Sequence, residues 1–416
     1  MPDLGILEIL IAFFLFMPLC RPYLKSFAMI DGFAWFPPIA LLCTAALFPA
    51  FGMRPECLPL LVYAVICNII NTRSLSASIS KLRYSADAER SPVYFVIMLI
   101  CLVAAVGIAV YFLPYAEARL VDTAREFRVI SASNQNEYTV RVYDVQEGSG
   151  SRDDVPFVLV VPPAAGSIQA VDKVCGALSK EGVTAASFSR LGFDIPAVSV
   201  SGRGVYPKPE MLFKFFTSIA GKKNARMIES GAYFENERIV DIEYITGLLK
   251  AEYGARPFFI VGYGAGGSAL ALLASSVPFV SAHPMLRGGV MVESRLNSLY
   301  DSSGAVKQAL PETLIPLASV SALADEDMEG GAYYAALYAF IKQNEDLVTR
   351  ISFPGIGRAD FSDVPEKYPV IAALLHGKGK RAWSDMDCVQ LTARVIMDFV
   401  DAQMELFEDA EGTHEE

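Results

Sequence analysis

Histidine is scarce in this chain. Three occur in 416 residues, at His283, His376 and His414. There is no Cys-x-x-Cys and no Cys/His spacing suited to zinc, so the sequence points to no metal and to no cofactor. Charge is scarce as well. Asp, Glu, Lys and Arg make up 19% of the residues and the mean hydropathy is +0.36, too apolar for an ordinary soluble protein. The net charge is −11 and no basic block occurs, which excludes nucleic acid as an expected partner. Of the seven cysteines, Cys20, Cys43, Cys57, Cys67 and Cys101 fall in the apolar first quarter. Only Cys175 and Cys388 remain beyond it, too few for a disulfide framework.

What the chain does have is long apolar runs, concentrated before Tyr115. A helix needs roughly 20 apolar residues to cross the hydrocarbon core. Residues 93–113 meet this without a charge, and residues 33–51 also qualify, with Pro37-Pro38 expected to kink the start. Residues 4–20 carry Glu8, and residues 58–70 are the weakest run. Four spans are therefore expected within residues 1–116. The loop with Arg73, Lys81, Arg83 and Arg90 and the loop with Arg21 and Lys25 should be cytoplasmic, against one Arg54 between them. The rest of the chain, residues 117–416, is then expected outside the cytoplasm, with membrane lipid as one partner.

Beyond the apolar region, residues 127–131 and 138–145 alternate like an edge hairpin. Residues 157–161 are a continuous apolar run, as for a strand buried on both faces. Helical and strand patterns then alternate to a long final helix at 389–406, which implies an α/β fold: a mostly parallel sheet with helices on both faces. Residues 191–235, rich in Gly and Pro, read as an insertion. Its run Met211–Phe216 is expected either to pack as a satellite of the core or to serve as a lid or membrane contact.

The most informative stretch is Gly262-Tyr263-Gly264-Ala265-Gly266-Gly267, which follows an apolar strand and opens a helix. Gly262, Gly264 and Gly267 match G-x-G-x-x-G, the turn that cradles a dinucleotide pyrophosphate, and Glu293 ends the next strand where a ribose-binding acid would sit. The turn falls late in the domain, however, and Glu293 is farther on than the usual spacing of about 20 residues.

The same turn resembles the nucleophile elbow G-x-S-x-G of the α/β-hydrolase superfamily, with Gly264 where the serine stands. The segment around Pro162-Pro163 resembles that family's oxyanion loop, and residues 189–194 (Ser-Arg-Leu-Gly-Phe-Asp) its next strand end. Residues 321–325, ending in Asp325, resemble the segment with the triad acid. Residues 353–363 resemble a stretch of platelet-activating-factor acetylhydrolase-like and dienelactone-hydrolase-like members, with Arg358 at the position of the triad histidine.

The resemblance implies an α/β-hydrolase-like domain whose degenerate site comprises Gly264, Arg358, Asp325, Glu293, Ala265 and Pro163. Gly264 offers no hydroxyl to form an acyl-enzyme, and Arg358 stays protonated and cannot serve as base. Asp325 or Glu293 would be the surviving acid, the Ala265 N–H the surviving oxyanion donor, and Pro163 a residue with no N–H to add. The expectation is a membrane-anchored module for binding, sensing or assembly, inactive as a serine hydrolase, with an unknown ligand or protein partner. The alternatives are an active ester or lipid hydrolase or acyltransferase using other groups, for which His376 is the one conceivable base, and a dinucleotide-binding domain.

Overall fold

The computed structural model describes residues 4–24, 30–51, 58–80, 91–117, 124–145, 155–194, 197–198, 204–205, 209–219, 225–253, 256–301, 303–322, 334–353, 356–357, 359–367 and 388–412. The chain divides into two compact units. One comprises residues 1–120 with 203–206, the other residues 121–202 with 207–416.

The N-terminal unit holds helices α1 (Leu4–Phe16), α2 (Phe36–Phe51), α3 (Leu58–Ile79) and α4 (Pro92–Glu117). Among the described residues two of them are long and apolar enough to cross a bilayer: α3, and residues Pro92–Ala109 of α4. The expectation of four spans is thereby corrected. At about 1.5 Å per residue, the 13 residues of α1 and the 16 of α2 fall short of a hydrocarbon core of about 30 Å.

The local causes are visible. Near residues 4–20, α1 gives way to a 3₁₀ turn at Met17–Cys20, where Pro18 has no N–H for an α-helical bond. Near 33–51 a 3₁₀ turn occupies Asp31–Trp35, and Pro37 and Pro38 sit in the first turn of α2, where they start the helix instead of kinking it. The run at 58–70, by contrast, continues to Ile79 because its polar residues find partners. The Asn71 amide donates to the Ala34 carbonyl (2.8 Å), and Ser74 accepts from Arg21 (2.7 Å). Leu15, Leu60, Ala64, Cys67 and Ala105 form the unit's interior, while Leu42, Ile69, Val93 and Val103 are each about two-thirds exposed.

In the C-terminal unit, strands β1 (Ala124–Ile130), β2 (Glu137–Tyr143), β3 (Phe157–Val161), β4 (Thr184–Arg190), β5 (Phe258–Tyr263), β6 (Leu286–Val292), β7 (Leu317–Ser321) and β8 (Val348–Ser352) form one sheet in the order 1-2-4-3-5-6-7-8. β1 and β2 are the expected edge hairpin, and β2 also runs antiparallel to β4; every pair from β4 to β8 is parallel. The alternation of side chains sends Phe157, Leu159 and Val161 to one face and Val158 and Val160 to the other, all five buried. The first face packs against α7 (Ala225–Tyr253), α8 (Ala265–Ala274) and α10 (Ala335–Gln343). The second packs against α5 (Asp172–Lys180) and α12 (Cys388–Gly412). Short helices α9 (Val277–Ala282) and α11 (Val364–Lys367) lie on connections.

Residues 191–235 are less irregular than the sequence suggests. They contain α6 (Pro209–Ile219) and the first turns of α7, which begins at Ala225. Met211 and Phe215 on one side of α6 pack with Ala165, Phe193 and Phe234 into a small satellite core, and Phe213 points outward.

Candidate functional site

The carboxyl ends of β3, β5, β6 and β7 converge on a cavity of about 160 Å³, lined by parts of the loop Pro163–Gly166, Gly264, Ala265, Glu293, Tyr334 and the α6 residues Phe215 and Ser218. Its geometry is set by two glycines behind the turn. A Cβ on Gly262 would lie 2.4 Å from backbone atoms of Gly266 and Gly267, and one on Gly266 would lie 2.8 Å from Val161. Only glycine lets α8 start so close to the sheet.

Gly264 itself has φ +55° and ψ −112°, a conformation that L-residues adopt only under strain, and its N–H donates to the Val292 carbonyl at 2.7 Å. Space is not the constraint here, since a Cβ would meet only Pro163 Cβ at 3.6 Å. The turn therefore has the sharp strand-to-helix form that exposes a nucleophile at the top of a sheet, on a residue with no side chain. No side chain caps the start of α8, where Ala265 lines the cavity.

Backbone strain concentrates around this cavity. Of the non-glycine residues with positive φ among the described ones, Ala165 (+53°) and Glu293 (+52°) line it and Leu296 (+55°) follows the lining residue Arg295. Such outliers persist where surrounding structure over-determines them, and they cluster at functional sites.

The loop Pro163–Gly166 is held from beneath by buried charge. Arg238, fully buried on α7, donates through Nη2 to the carbonyls of Pro163 (2.9 Å) and Gly166 (3.0 Å) and to Asp194 (2.6 Å), and through Nη1 to Asp241 (2.9 Å). Asp241 also accepts from Arg190 Nη1 and from the Tyr138 hydroxyl, each at 2.9 Å. Burial pushes the Asp194 carboxyl up to about 6, although Arg238 pulls it down. On the other side of the cavity the buried Glu235 accepts from the N–H and side-chain amide of Asn297 and from the N–H and hydroxyl of Ser298, at 2.6–2.9 Å. Burial raises the Glu235 pKa, and these four donors oppose the rise.

The expected site residues distribute as follows. Gly264, Ala265, Pro163 and Glu293 come together around the cavity. The Glu293 carboxylate accepts from the Ala322 N–H at the end of β7 and lies 3.4 Å from the Tyr334 hydroxyl. Arg358 and Asp325 lie outside the described residues, as do His376 and His414. His283, on the connection after α9, is bonded through Nδ1 to the Phe279 carbonyl and does not line the cavity. The serine hydroxyls in the lining are occupied: Ser218 donates to the Phe215 carbonyl, Ser362 to the Ala359 carbonyl, and Ser268 to the Gly264 carbonyl while accepting from the Arg295 and Leu296 N–H groups. Among the described residues no three His, Cys, Asp or Glu side chains group as a metal site would require.

The C-terminal unit has an α/β-hydrolase-like fold. The strand order, the antiparallel start and the glycine elbow after the central strand carry that statement. Residues 2–111 match a family model described as TP_0976_N, N-terminal domain. No curated protein matches the chain. Similar solved structures include a ferulic acid esterase from Streptomyces cinnamoneus, at 13% identity and a TM-score of 0.43, covering 69% of this chain and 90% of that one. An α/β serine hydrolase homologue from Coxiella burnetii is similar at 12% identity and a TM-score of 0.35, covering 62% and 98%. A dienelactone hydrolase from Anabaena variabilis is similar at 9% and 0.35, covering 66% and 95%.

Reasoning from the sequence missed Arg238, Glu235, Arg295 and Tyr334. The first two lie on an α7 segment, Glu-Asn-Glu-Arg-Ile-Val-Asp, that has the composition of an exposed helix face. An Arg and an Asp three apart beside Ile239 and Ile242 was the one available signal, and it does not by itself distinguish a surface ion pair from a buried one.

Proposed function

We propose that this chain is a membrane-anchored α/β-hydrolase-fold protein without serine-hydrolase chemistry, whose cavity binds a small ligand for sensing or assembly. The observation that carries the reading is Gly264: the elbow keeps its strained dihedrals while the residue that would need them for catalysis has no side chain. The occupied serine hydroxyls around it and the lack of a histidine among the described lining residues agree with this. A cavity of this volume accommodates an apolar group about the size of a benzene ring. Phe215, Phe234 and Ala165 offer it apolar walls, and Glu293, Arg295 and Asn297 supply polar groups to orient it.

The anchor rests on α3 and α4 and on the exposed apolar residues of the N-terminal unit, which suit lipid better than water. The Lys/Arg distribution favours an extracytoplasmic C-terminal unit. Arg358 and Asp325 complete the degenerate-site proposal by sequence position.

The deciding experiment is reaction of the full-length protein with a fluorophosphonate probe, which labels an activated serine. The wild type should remain unlabelled. Gly264→Ser should also remain unlabelled, because a hydroxyl without a base stays protonated. Stoichiometric labelling of the wild type overturns the reading. Topology is read separately: a cysteine placed at Asp153 should react with an impermeant maleimide added from the extracytoplasmic side.

A further inference from the structure

The outer side of α6 is not used by the proposed function. At 3.6 residues per turn, Met211, Phe215 and Ser218 fall on one side of the helix, and all three are buried. Phe215 and Ser218 also line the cavity. Phe213 and Phe216 fall on the opposite side, within about 60° of each other, and are 68% and 38% exposed. Among the described residues of the C-terminal unit these are the two exposed phenylalanines; the other large apolar residues exposed there are Val, Leu and Ile. Between the two sides lies Lys214, which pairs with Glu210 at 2.8 Å and sits 3.8 Å from the centre of the Tyr233 ring. Residues 203–226 contain Arg203, Lys208, Lys214, Lys222, Lys223 and Arg226 against Glu210 alone, in a chain of net charge −11. These cations are spaced along the segment and do not run together. Single exposed apolar side chains are common and need no explanation. Two aromatic ones side by side on an amphipathic helix, within a surplus of basic charge, have the pattern of a helix that lies in a membrane interface.

We propose that α6 docks on an anionic lipid surface, with Phe213 and Phe216 inserted at the boundary of headgroups and acyl chains and the surrounding Lys and Arg residues against lipid phosphates. A bilayer presents negative charge at every point and takes an aromatic pair without a shaped pocket, which matches cations spread before, within and after the helix. Each basic residue held near such a surface strengthens the contact roughly fivefold, and salt screens it. Docking places a wall of the cavity, Phe215 and Ser218 on the same helix, at the leaflet surface. The contact is additional to anchoring by α3 and α4 and rests on the exposure and charge of α6, not on the spans.

The test uses the full chain reconstituted in vesicles of phosphatidylcholine, alone or mixed with phosphatidylglycerol. Each is prepared with and without brominated phosphatidylcholine, a quencher confined to the acyl region. Phe213→Trp reports from the outer side of α6, and subtracting the wild type removes the two native tryptophans. In phosphatidylglycerol vesicles its emission should shift to the blue, be quenched by brominated lipid and be shielded from aqueous acrylamide. In pure phosphatidylcholine or in high salt the emission should shift back to the red and acrylamide should reach it. Replacing Lys222→Gln and Lys223→Gln together should lower the ratio of docked to undocked helix roughly 25-fold. Hydrogen exchange of the unaltered chain checks the same contact without a substitution, and the α6 amides should exchange more slowly in the anionic vesicles. Full acrylamide access in both vesicle types, with no quenching by brominated lipid, overturns the proposal and leaves this face to a protein partner. Lipid quenching that is equal with and without phosphatidylglycerol overturns it as well, because the cations then play no part. Carbonate extraction of the same vesicles reads the spans separately. Release of the chain into the wash contradicts anchoring by α3 and α4 and leaves the α6 result as it stands.

Discussion

Replacing Arg238 with Met tests the account of how the cavity is held. The guanidinium serves two fully buried carboxylates, Asp194 and Asp241, and two loop carbonyls, Pro163 and Gly166. Methionine fills much of the same volume and supplies no donor. Asp241 keeps Arg190 and Tyr138, but Asp194 keeps only the backbone N–H of Arg190 at 2.7 Å. Breaking a buried pair so that one charge stays uncompensated costs about 3–5 kcal/mol. For a unit of this size that is an apparent Tm lower by about 6–15 °C.

The loss should depend on pH. With its carboxyl already raised to about 6, Asp194 becomes neutral in mild acid and no longer needs the guanidinium. The difference between wild type and Arg238→Met should therefore be largest near pH 8 and shrink toward pH 5. Thermal melts of the detergent-solubilised protein, followed by circular dichroism at both pH values, measure it. A shift under about 2 °C at pH 8, or a larger defect at pH 5 than at pH 8, would refute the argument that this cluster supports the loop.

Three further outcomes are expected. Gly262→Ala should give no cooperative melting transition, because its Cβ would sit 2.4 Å from the backbone of α8, whereas Gly264→Ala should fold with a loss of only about 1–3 kcal/mol from its strained dihedrals; equal stability of the two variants would contradict the packing described. Asp194 binds its proton more tightly folded than unfolded, so its contribution is fully present below about pH 4 and is lost as pH rises through about 6. Asp194→Asn should remove that part of the Tm-versus-pH slope, and an unchanged slope would argue against the raised pKa. Glu235→Ala should cost about 3 kcal/mol or more in urea unfolding, because the N–H groups of Asn297 and Ser298 lose their acceptor in a buried place; a loss under about 1 kcal/mol would show that water replaces the carboxylate.

Much of the C-terminal fold is legible in local pattern. Alternation in residues 127–131 and 138–145 marks an edge hairpin, and the unbroken apolar run at 157–161 marks a strand covered on both faces, because burial on one side or two imposes those patterns directly. The glycine turn is legible for a similar reason: close approach of helix and strand tolerates no Cβ at Gly262. Span length was read less well. Apolar composition says that residues are lipid-compatible, but Pro18 and the 3₁₀ turn before Phe36 determine where helices stop, and α1 and α2 end up too short.

The sequence by itself determined the division between an apolar N-terminal region and an α/β region, the parallel order that follows from repeated strand–helix alternation, and the absence of a hydroxyl at Gly264. Each is a property of a residue or of a short window, and needs no distant partner to be true. Only the tertiary structure decided that Arg238 and Asp194 are buried together under the loop at Pro163, that Glu235 braces the turn at Asn297, and that Cys67 and Cys101 share the interior of the N-terminal unit. Those groups are 44, 62 and 34 residues apart in the chain. A charge on a helix is stable in water or opposite a matching charge in the interior, and a cysteine packs as readily against leucine as against another cysteine. The local pattern is the same in either case, and the choice is made by which surfaces the folded sheet and helices bring into contact.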